Sequence, residues 1–206
     1  MVSYVTATRS AAFETTPLGS TLVLRGEDEV IVEEGGTSLA AAYNRGRARA
    51  RNEVVCFVHD DVAVRDTLRL RMELLRCCTA EVGLVGVIGT TDEHACPWWD
   101  GPIVGSVVDA RRDEPIVGLP GDRRVALLDG LLLATRQPLV FDEAIPGFHF
   151  YDADACLQML ARLLPNNCLP GGAEFLTHHT GGPTDVARIN GWPEAMAAYR
   201  AKWGPA

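Results

Sequence analysis

This chain of 206 residues has six cysteines but no Cys-x-x-Cys pair among them. Without that spacing, Cys56, Cys77, Cys78, Cys96, Cys156 and Cys168 suggest neither a zinc site nor a disulfide framework. Cys56 and Cys156 lie in apolar stretches, as buried thiols do in a reducing compartment, so a cytoplasmic location is expected. A basic excess is also missing. The formal net charge of -8 argues against a nucleic-acid binder, which would carry a basic face. No run of ~18 or more apolar residues suggests a membrane span. The opening Met-Val-Ser-Tyr-Val-Thr lacks a basic segment followed by a long apolar core, so no signal peptide is expected. Neither an internal repeat nor an interdomain linker is visible, and one domain over 1–206 is expected, long enough to bury most of its apolar surface. With 47% hydrophobic and 22% charged residues, the composition is ordinary for a soluble globular enzyme.

The first half alternates between two periods. Val2–Thr8 reads as a strand, and Thr21–Leu24 and Val30–Glu33 as short strands around the charged turn Gly26–Glu29. Ser38 is a suitable N-cap for a helix over Leu39–Ala50. Val54–Val58 is a buried strand, Arg65–Thr79 an amphipathic helix, and Leu84–Ile88 a strand ended by Gly89. Alternating strands and helices predict a wound α/β sheet. The second half is less regular. Asp92–Asp113, with Trp98 and Trp99, reads as a loop over the site or a short hairpin. Val125–Ala134 is apolar around Asp129-Gly130, Asp152–Leu164 is helical by pattern, Thr177–Thr184 is a Gly- and His-rich loop, and Pro193–Trp203 is a terminal helix.

The strand Val54–Val58 ends abruptly in His59-Asp60-Asp61. In open α/β sheets ligands bind at the carboxyl ends of the strands. Two adjacent carboxylates there repel each other and call for a cation, and hard oxygen ligands suit Mg²⁺ or Mn²⁺. The one basic concentration, Arg45, Arg47, Arg49 and Arg51, either serves an anionic ligand that arrives with a metal or is a solvated helix face.

Three blocks of residues carry a resemblance. The first is Ala42-Tyr43-Asn44-Arg45-Gly46 with Phe57-Val58-His59-Asp60-Asp61-Val62. The second is Leu128-Asp129-Gly130-Leu131, Phe141-Asp142-Glu143 and Gly147-Phe148-His149-Phe150-Tyr151-Asp152-Ala153-Asp154. The third is His178-His179-Thr180-Gly181-Gly182. In this order and spacing they resemble family-2 type nucleotide-sugar glycosyltransferases of the GT-A fold, in particular a compact bacterial subgroup in which His-Asp-Asp replaces Asp-x-Asp. The resemblance implies a Rossmann-like three-layer α/β/α arrangement with a mostly parallel central sheet. Residues 1–91 would form the nucleotide- and metal-binding half, and 92–206 the acceptor-binding and catalytic half.

The same resemblance implies roles. Asp61 stands at the second Asp of the motif and would bind the divalent metal, Mn²⁺ or Mg²⁺, which neutralises the nucleotide diphosphate leaving group. His59 stands where an acid is usual. Asp60, at the middle position, would turn toward ribose. Asp152 matches the base that takes the acceptor's proton during inverting transfer, and a helix N-terminus there would favour its carboxylate form. His178, chosen over His179, would complete the metal shell. Thr6, Thr8, Glu33, Asn44 and Arg47 are expected at the nucleotide, with Glu33 reading a base such as uracil, and Asp129 and Gly130 at the donor sugar. Trp99, His149 and Asp154 are expected at the acceptor, the tryptophan because aromatic faces pack on the apolar faces of sugars.

The expected reaction moves a sugar, UDP-linked by expectation, to the hydroxyl of a small molecule, a glycan or a lipid-linked acceptor. The short second half leaves room for another protein, or a second copy in a homodimer, to complete the acceptor site. A sugar nucleotidyltransferase is an alternative, although the loop Thr8-Arg9-Ser10-Ala11-Ala12 lacks that class's glycines. A non-catalytic nucleotide-sugar-binding relative is another, kept open by His59.

Overall fold

The computed structural model describes residues 1–112, 114–120, 124–178 and 191–204. From the amino terminus come β1 (Val2–Thr8), α1 (Pro17–Thr21), β2 (Glu29–Glu34), α2 (Leu39–Arg49), β3 (Val54–Val58), β4 (Val62–Val64) and α3 (Thr67–Cys77). Short strands follow: β5 (Val85–Gly86), β6 (Ile88–Thr90), β7 (Ile103–Asp109), β8 (Ile116–Val117), β9 (Arg124–Val125), β10 (Leu127–Leu128) and β11 (Leu132–Thr135). The last elements are α4 (Tyr151–Ala161), β12 (Asn166–Cys168), α5 (Gly172–Phe175), β13 (Leu176–His178) and α6 (Trp192–Trp203).

The main sheet has the order β2-β1-β3-β11-β5-β12-β9. Its strands β2, β1, β3, β5 and β12 run one way, and β11 and β9 oppose them. This is the mostly parallel sheet and mixed α/β architecture expected of a GT-A-like fold. Strand β3 explains its own composition. Val55 and Phe57 enter one core with Tyr43 of α2 and Phe141, while Val54, Cys56 and Val58 enter a second core with Leu70 and Leu74 of α3. A strand covered on both faces is apolar at every position instead of alternating. Helix α2 lies close to β1 because residue 46 is glycine: a Cβ there would stand 2.3 Å from Val5 Cγ1. Ser38 and Asp66 cap α2 and α3 by accepting from the Ala41 and Arg69 N–H groups.

Several expected boundaries move. Thr21–Leu24 is not a strand. Thr16 caps α1, Pro17 starts it, and Thr21 belongs to its last turn. The expected strand Leu84–Ile88 breaks at Val87, where the chain leaves the main sheet through β5 and enters a second sheet through β6. That sheet has the order β10-β6-β7-β13-β4. The stretch 92–113 is a hairpin in part, because β6 and β7 pair antiparallel and a 3-10 turn, Trp98–Asp100, lies between them. Val125–Ala134 divides into β9, β10 and β11, and Asp129-Gly130 makes the bend before β11. Among the described residues, no helix is long and apolar enough to cross a membrane.

Candidate active site

The turn after β3 is fixed by its backbone, which frees its side chains. His59 N–H donates to Leu131 O (3.1 Å), and Leu18 N–H donates to Asp60 O (3.0 Å). The second sheet then brings in a distant residue. Strand β13 pairs antiparallel with β4, with His178 opposite Val62, so the His178 ring arrives beside Asp61. His178 Nε2 lies 3.4 Å and His59 Nδ1 3.9 Å from Asp61 Oδ1. The three candidate ligand atoms all fall within 4.8 Å of one another. Asp61 Oδ1 and His178 Nε2 are buried without a hydrogen-bond partner. Buried polar atoms are normally satisfied, so this orphaned pair marks a place for a ligand.

Behind the cluster stands Tyr151. Its hydroxyl lies 2.7 Å from His59 Nε2 and 3.0 Å from Gly130 O. With the hydroxyl donating to the carbonyl, His59 donates from Nε2, and Nδ1 turns its lone pair toward Asp61. Burial chiefly lowers the pKa of His59, which keeps that lone pair available. Burial pushes the Asp61 carboxyl up, but His178 and His59 outweigh it and the net direction is down. For His178 burial pushes down, and Asp61, Asp129 and Asp109 outweigh it, so the net direction is up. Two imidazole nitrogens and one carboxylate oxygen with open positions form a donor set that fits a divalent metal.

Two adjoining cavities share this cluster. A cavity of about 690 Å³ is lined by residues of the β1, β2 and β3 ends, including Thr8, Arg9, Gly35, Ser38, Asp60 and Asp61. A smaller one of about 160 Å³ is lined by Trp98, Trp99, Trp192, Asp129, Asp152 and Tyr151, among others. His59, Phe148 and His149 line both. Asp152, in the first turn of α4, accepts from the Gly130 and Ala153 N–H groups (both 2.9 Å). Burial first and the neighbouring Asp129 second push its carboxyl up to about 7. The close approach of Gly130 demands glycine, since a Cβ there would stand 2.0 Å from the Tyr151 hydroxyl.

A profile described as a glycosyltransferase-like family matches residues 25–164, which takes in β2 to α4 and with them His59, Asp61 and Asp152. The chain belongs to this glycosyltransferase-like family. Comparison with curated proteins finds no match. Among solved structures, A197 from STIV is similar with a TM-score of 0.47 at 10% identity, covering 92% of this chain and 97% of that one.

Within the family frame, the expected site residues divide. Thr8, Asp60, Asp61, His149 and His178 line the large cavity, and Trp99, Asp129, Gly130, His149 and Asp152 the small one. Thr8 Oγ1 donates to Asp60 Oδ2 at 2.5 Å, which joins the β1 and β3 ends. Five of the expected residues lie outside both linings. Glu33 does not face either cavity: its buried carboxylate is paired with Arg45 (2.8 Å) and Arg49 (3.0 Å). Asn44 clamps the Phe141 backbone, donating to its O (2.9 Å) and accepting from its N–H (2.8 Å). Arg47 donates to Gln137 O at 2.9 Å, so the arginine cluster serves the fold. Thr6 is fully buried within β1. Asp154 is also fully buried, held by Lys202 (2.7 Å), Trp203 Nε1 (2.8 Å) and Gln158 (2.8 Å), and it fastens α6 to α4 instead of facing the small cavity. His179 lies outside the described residues.

Three contributors were not singled out in the sequence. Tyr151 directly precedes Asp152, but nothing local says that its hydroxyl reaches His59. Phe148 and Trp192 complete the aromatic lining from separate segments. His59 had appeared as a departure from the acidic motif, whereas the fold places it as a third member of the donor set.

Proposed function

We propose that the chain is an inverting, metal-assisted glycosyltransferase acting on a nucleotide-diphosphate sugar, UDP-linked by first choice. The observation that carries this reading is the shared boundary of the two cavities: the His59–Asp61–His178 cluster is on one side and Asp152 on the other. The large cavity takes the nucleotide diphosphate, with Asp60 toward the ribose and Arg9 beside the phosphates. Asp129 and Gly130 frame the transferred sugar. The small cavity takes the acceptor, which Trp99 and His149 contact.

His59, Asp61 and His178 would hold the divalent ion. A bound Mn²⁺ or Mg²⁺ supplies Lewis-acid neutralisation of the leaving diphosphate. Imidazole nitrogens favour Mn²⁺ over Mg²⁺, which prefers oxygen. Tyr151 keeps His59 in the tautomer whose Nδ1 lone pair points at the cluster. Asp152 removes the acceptor hydroxyl proton as that oxygen attacks the anomeric carbon from the face opposite the diphosphate. A carboxyl near 7 suits this role, because a base works best with a pKa near the operating pH. Thermal-shift titration with nucleoside diphosphates and nucleotide sugars, with and without Mn²⁺, tests the donor assignment: a specific ligand raises the melting temperature by mass action. No shift with any of them would overturn it.

A further inference from the structure

The two cavities differ in charge. Among the described lining residues, the large cavity holds the carboxylates Asp60 and Asp61 together with a guanidinium, Arg9, stacked on Phe148 with its Cζ 5.6 Å from the ring centroid. The small cavity holds no Lys or Arg among its described lining residues, but it holds two carboxylates, Asp129 and Asp152. Each carboxylate accepts backbone N–H groups: Asp129 from Leu131 (2.8 Å), Asp152 from Gly130 and Ala153. Neither makes an ion pair among the described residues. Two half-buried carboxylates side by side repel each other, and a cation placed between them relieves that repulsion.

The rest of the lining is aromatic. Trp98 and Trp99 meet edge to face at 5.8 Å between centroids, and Trp99 lies 6.1 Å from Trp192. Trp192 in turn packs on His149 (4.9 Å) and Phe150 (4.5 Å). Ring faces carry partial negative charge and attract ammonium groups, Trp most strongly. His149 Nε2 is buried without a hydrogen-bond partner, so the lining keeps a polar contact unused by the fold.

From this pairing of an aromatic wall with two carboxylates that make no ion pair among the described residues we infer that the acceptor is a cationic polyol: an amine-bearing sugar or cyclitol. The inference rests on the glycosyltransferase reading. The ammonium lies against Trp99 and Trp192 and offsets the charge of Asp129, while a neighbouring hydroxyl faces Asp152. The placement of cationic groups sorts the substrates: the anionic donor goes to the side of Arg9 and the proposed metal ligands, and the cationic acceptor to the side with two carboxylates and no Lys or Arg among its described lining residues. An anionic acceptor would face Asp129 and Asp152 with no Lys or Arg in the described lining and is rejected.

The test is equilibrium binding of three matched cyclitols, streptamine (amine-bearing), myo-inositol (neutral) and quinate (carboxylate), read by tryptophan fluorescence of the intact protein. Streptamine should bind about tenfold tighter than myo-inositol, the order that a cation–π contact and a partly buried ion pair give together. That margin should shrink with added salt, and in Asp129→Asn and in Trp99→Ala. The second variant alters a ring that is 43% exposed, so the fold tolerates it. Quinate should not bind. Equal binding of streptamine and myo-inositol, or preferred binding of quinate, would overturn the inference. Release of nucleoside diphosphate from a nucleotide sugar, followed in parallel, separates the two readings. Its absence together with amine preference removes the transferase assignment and leaves the cavity assignment standing; its presence without amine preference does the reverse.

Discussion

The large cavity is framed by the ends of β1, β2 and β3, three parallel neighbours that each close a short sequence segment, whereas the small cavity is assembled from Trp98–Trp99, Asp129–Gly130, His149–Asp152 and Trp192, which are far apart along the chain. The first is a product of regular structure and the second of packing. The difference shows in the chemistry as well. Regular strand ends present hydroxyls, glycines and the His59-Asp60-Asp61 turn, suited to phosphate and ribose. Packed loops present ring faces and carboxylates, suited to a polyol. The boundary between them, where Tyr151 holds His59 and Asp152 faces the gap, is where a transfer reaction would take place.

Asp152→Asn separates the cavities most strongly. Transfer should fall about 10²- to 10⁴-fold, the usual contribution of a positioned base, while UDP affinity measured by calorimetry stays the same. Equal loss of UDP binding would mean that the cavities do not act separately. Asp61→Ala acts on the other side. With Mn²⁺ at a hundred times its dissociation constant the metal stabilises the fold by about 2.7 kcal/mol. The variant should lose that increment in thermal melts and keep the metal-free melting temperature.

Asp154→Ala contrasts with its neighbour two residues earlier. Removing charged hydrogen bonds to Lys202, Trp203 and Gln158 should cost about 2–3 kcal/mol in urea unfolding, with the folded fraction still active. Unchanged stability with lost transfer would return Asp154 to the acceptor site. Gly130→Ala forces a methyl into the Tyr151 hydroxyl and should destabilise by about 1–3 kcal/mol. It should also weaken the Mn²⁺ response, because Tyr151 orients His59.

The remaining contrast is in pH. The Asp152 carboxyl stands near 7, against an ordinary 3.8. Between those values the unfolded chain has released a proton that the folded chain keeps, so stability falls as pH rises through this window. Turnover should move the other way and rise through pH about 7, as the base loses its proton. Asp152→Asn should remove the stability slope in the metal-free protein; a slope that persists assigns it to another group.

Much of the first half is legible in the residues because its signals are local. Ser38 before a run of alanines gives the cap and helix of α2, and an unbroken apolar run gives the doubly covered strand β3. His59-Asp60-Asp61 at the carboxyl end of that strand reads as a ligand edge for the same reason. The residues that lie outside both cavities do so for physical reasons. Glu33, Asn44 and Arg47 are polar groups near element ends, where binding and structural pairing look alike in sequence. Their partners Arg45, Phe141 and Gln137 complete structural contacts in all three cases. Asp152 and Asp154 occupy the same helical turn, yet a difference of two residues turns them about 200° apart around the helix axis, one to the cavity and one to Lys202.

Local sequence was enough to establish the alternating α/β character, the acidic turn after β3 and a carboxylate at the start of α4, because each depends on periodicity, capping or the end of an apolar run. It did not establish the meeting of His178 with Asp61, which depends on the β13–β4 register. Nor did it show the Tyr151 support for His59 or the aromatic wall beside Asp129 and Asp152. These are contacts between residues tens of positions apart, and such contacts exist once the cores on both faces of the sheet have fixed the distances between their elements.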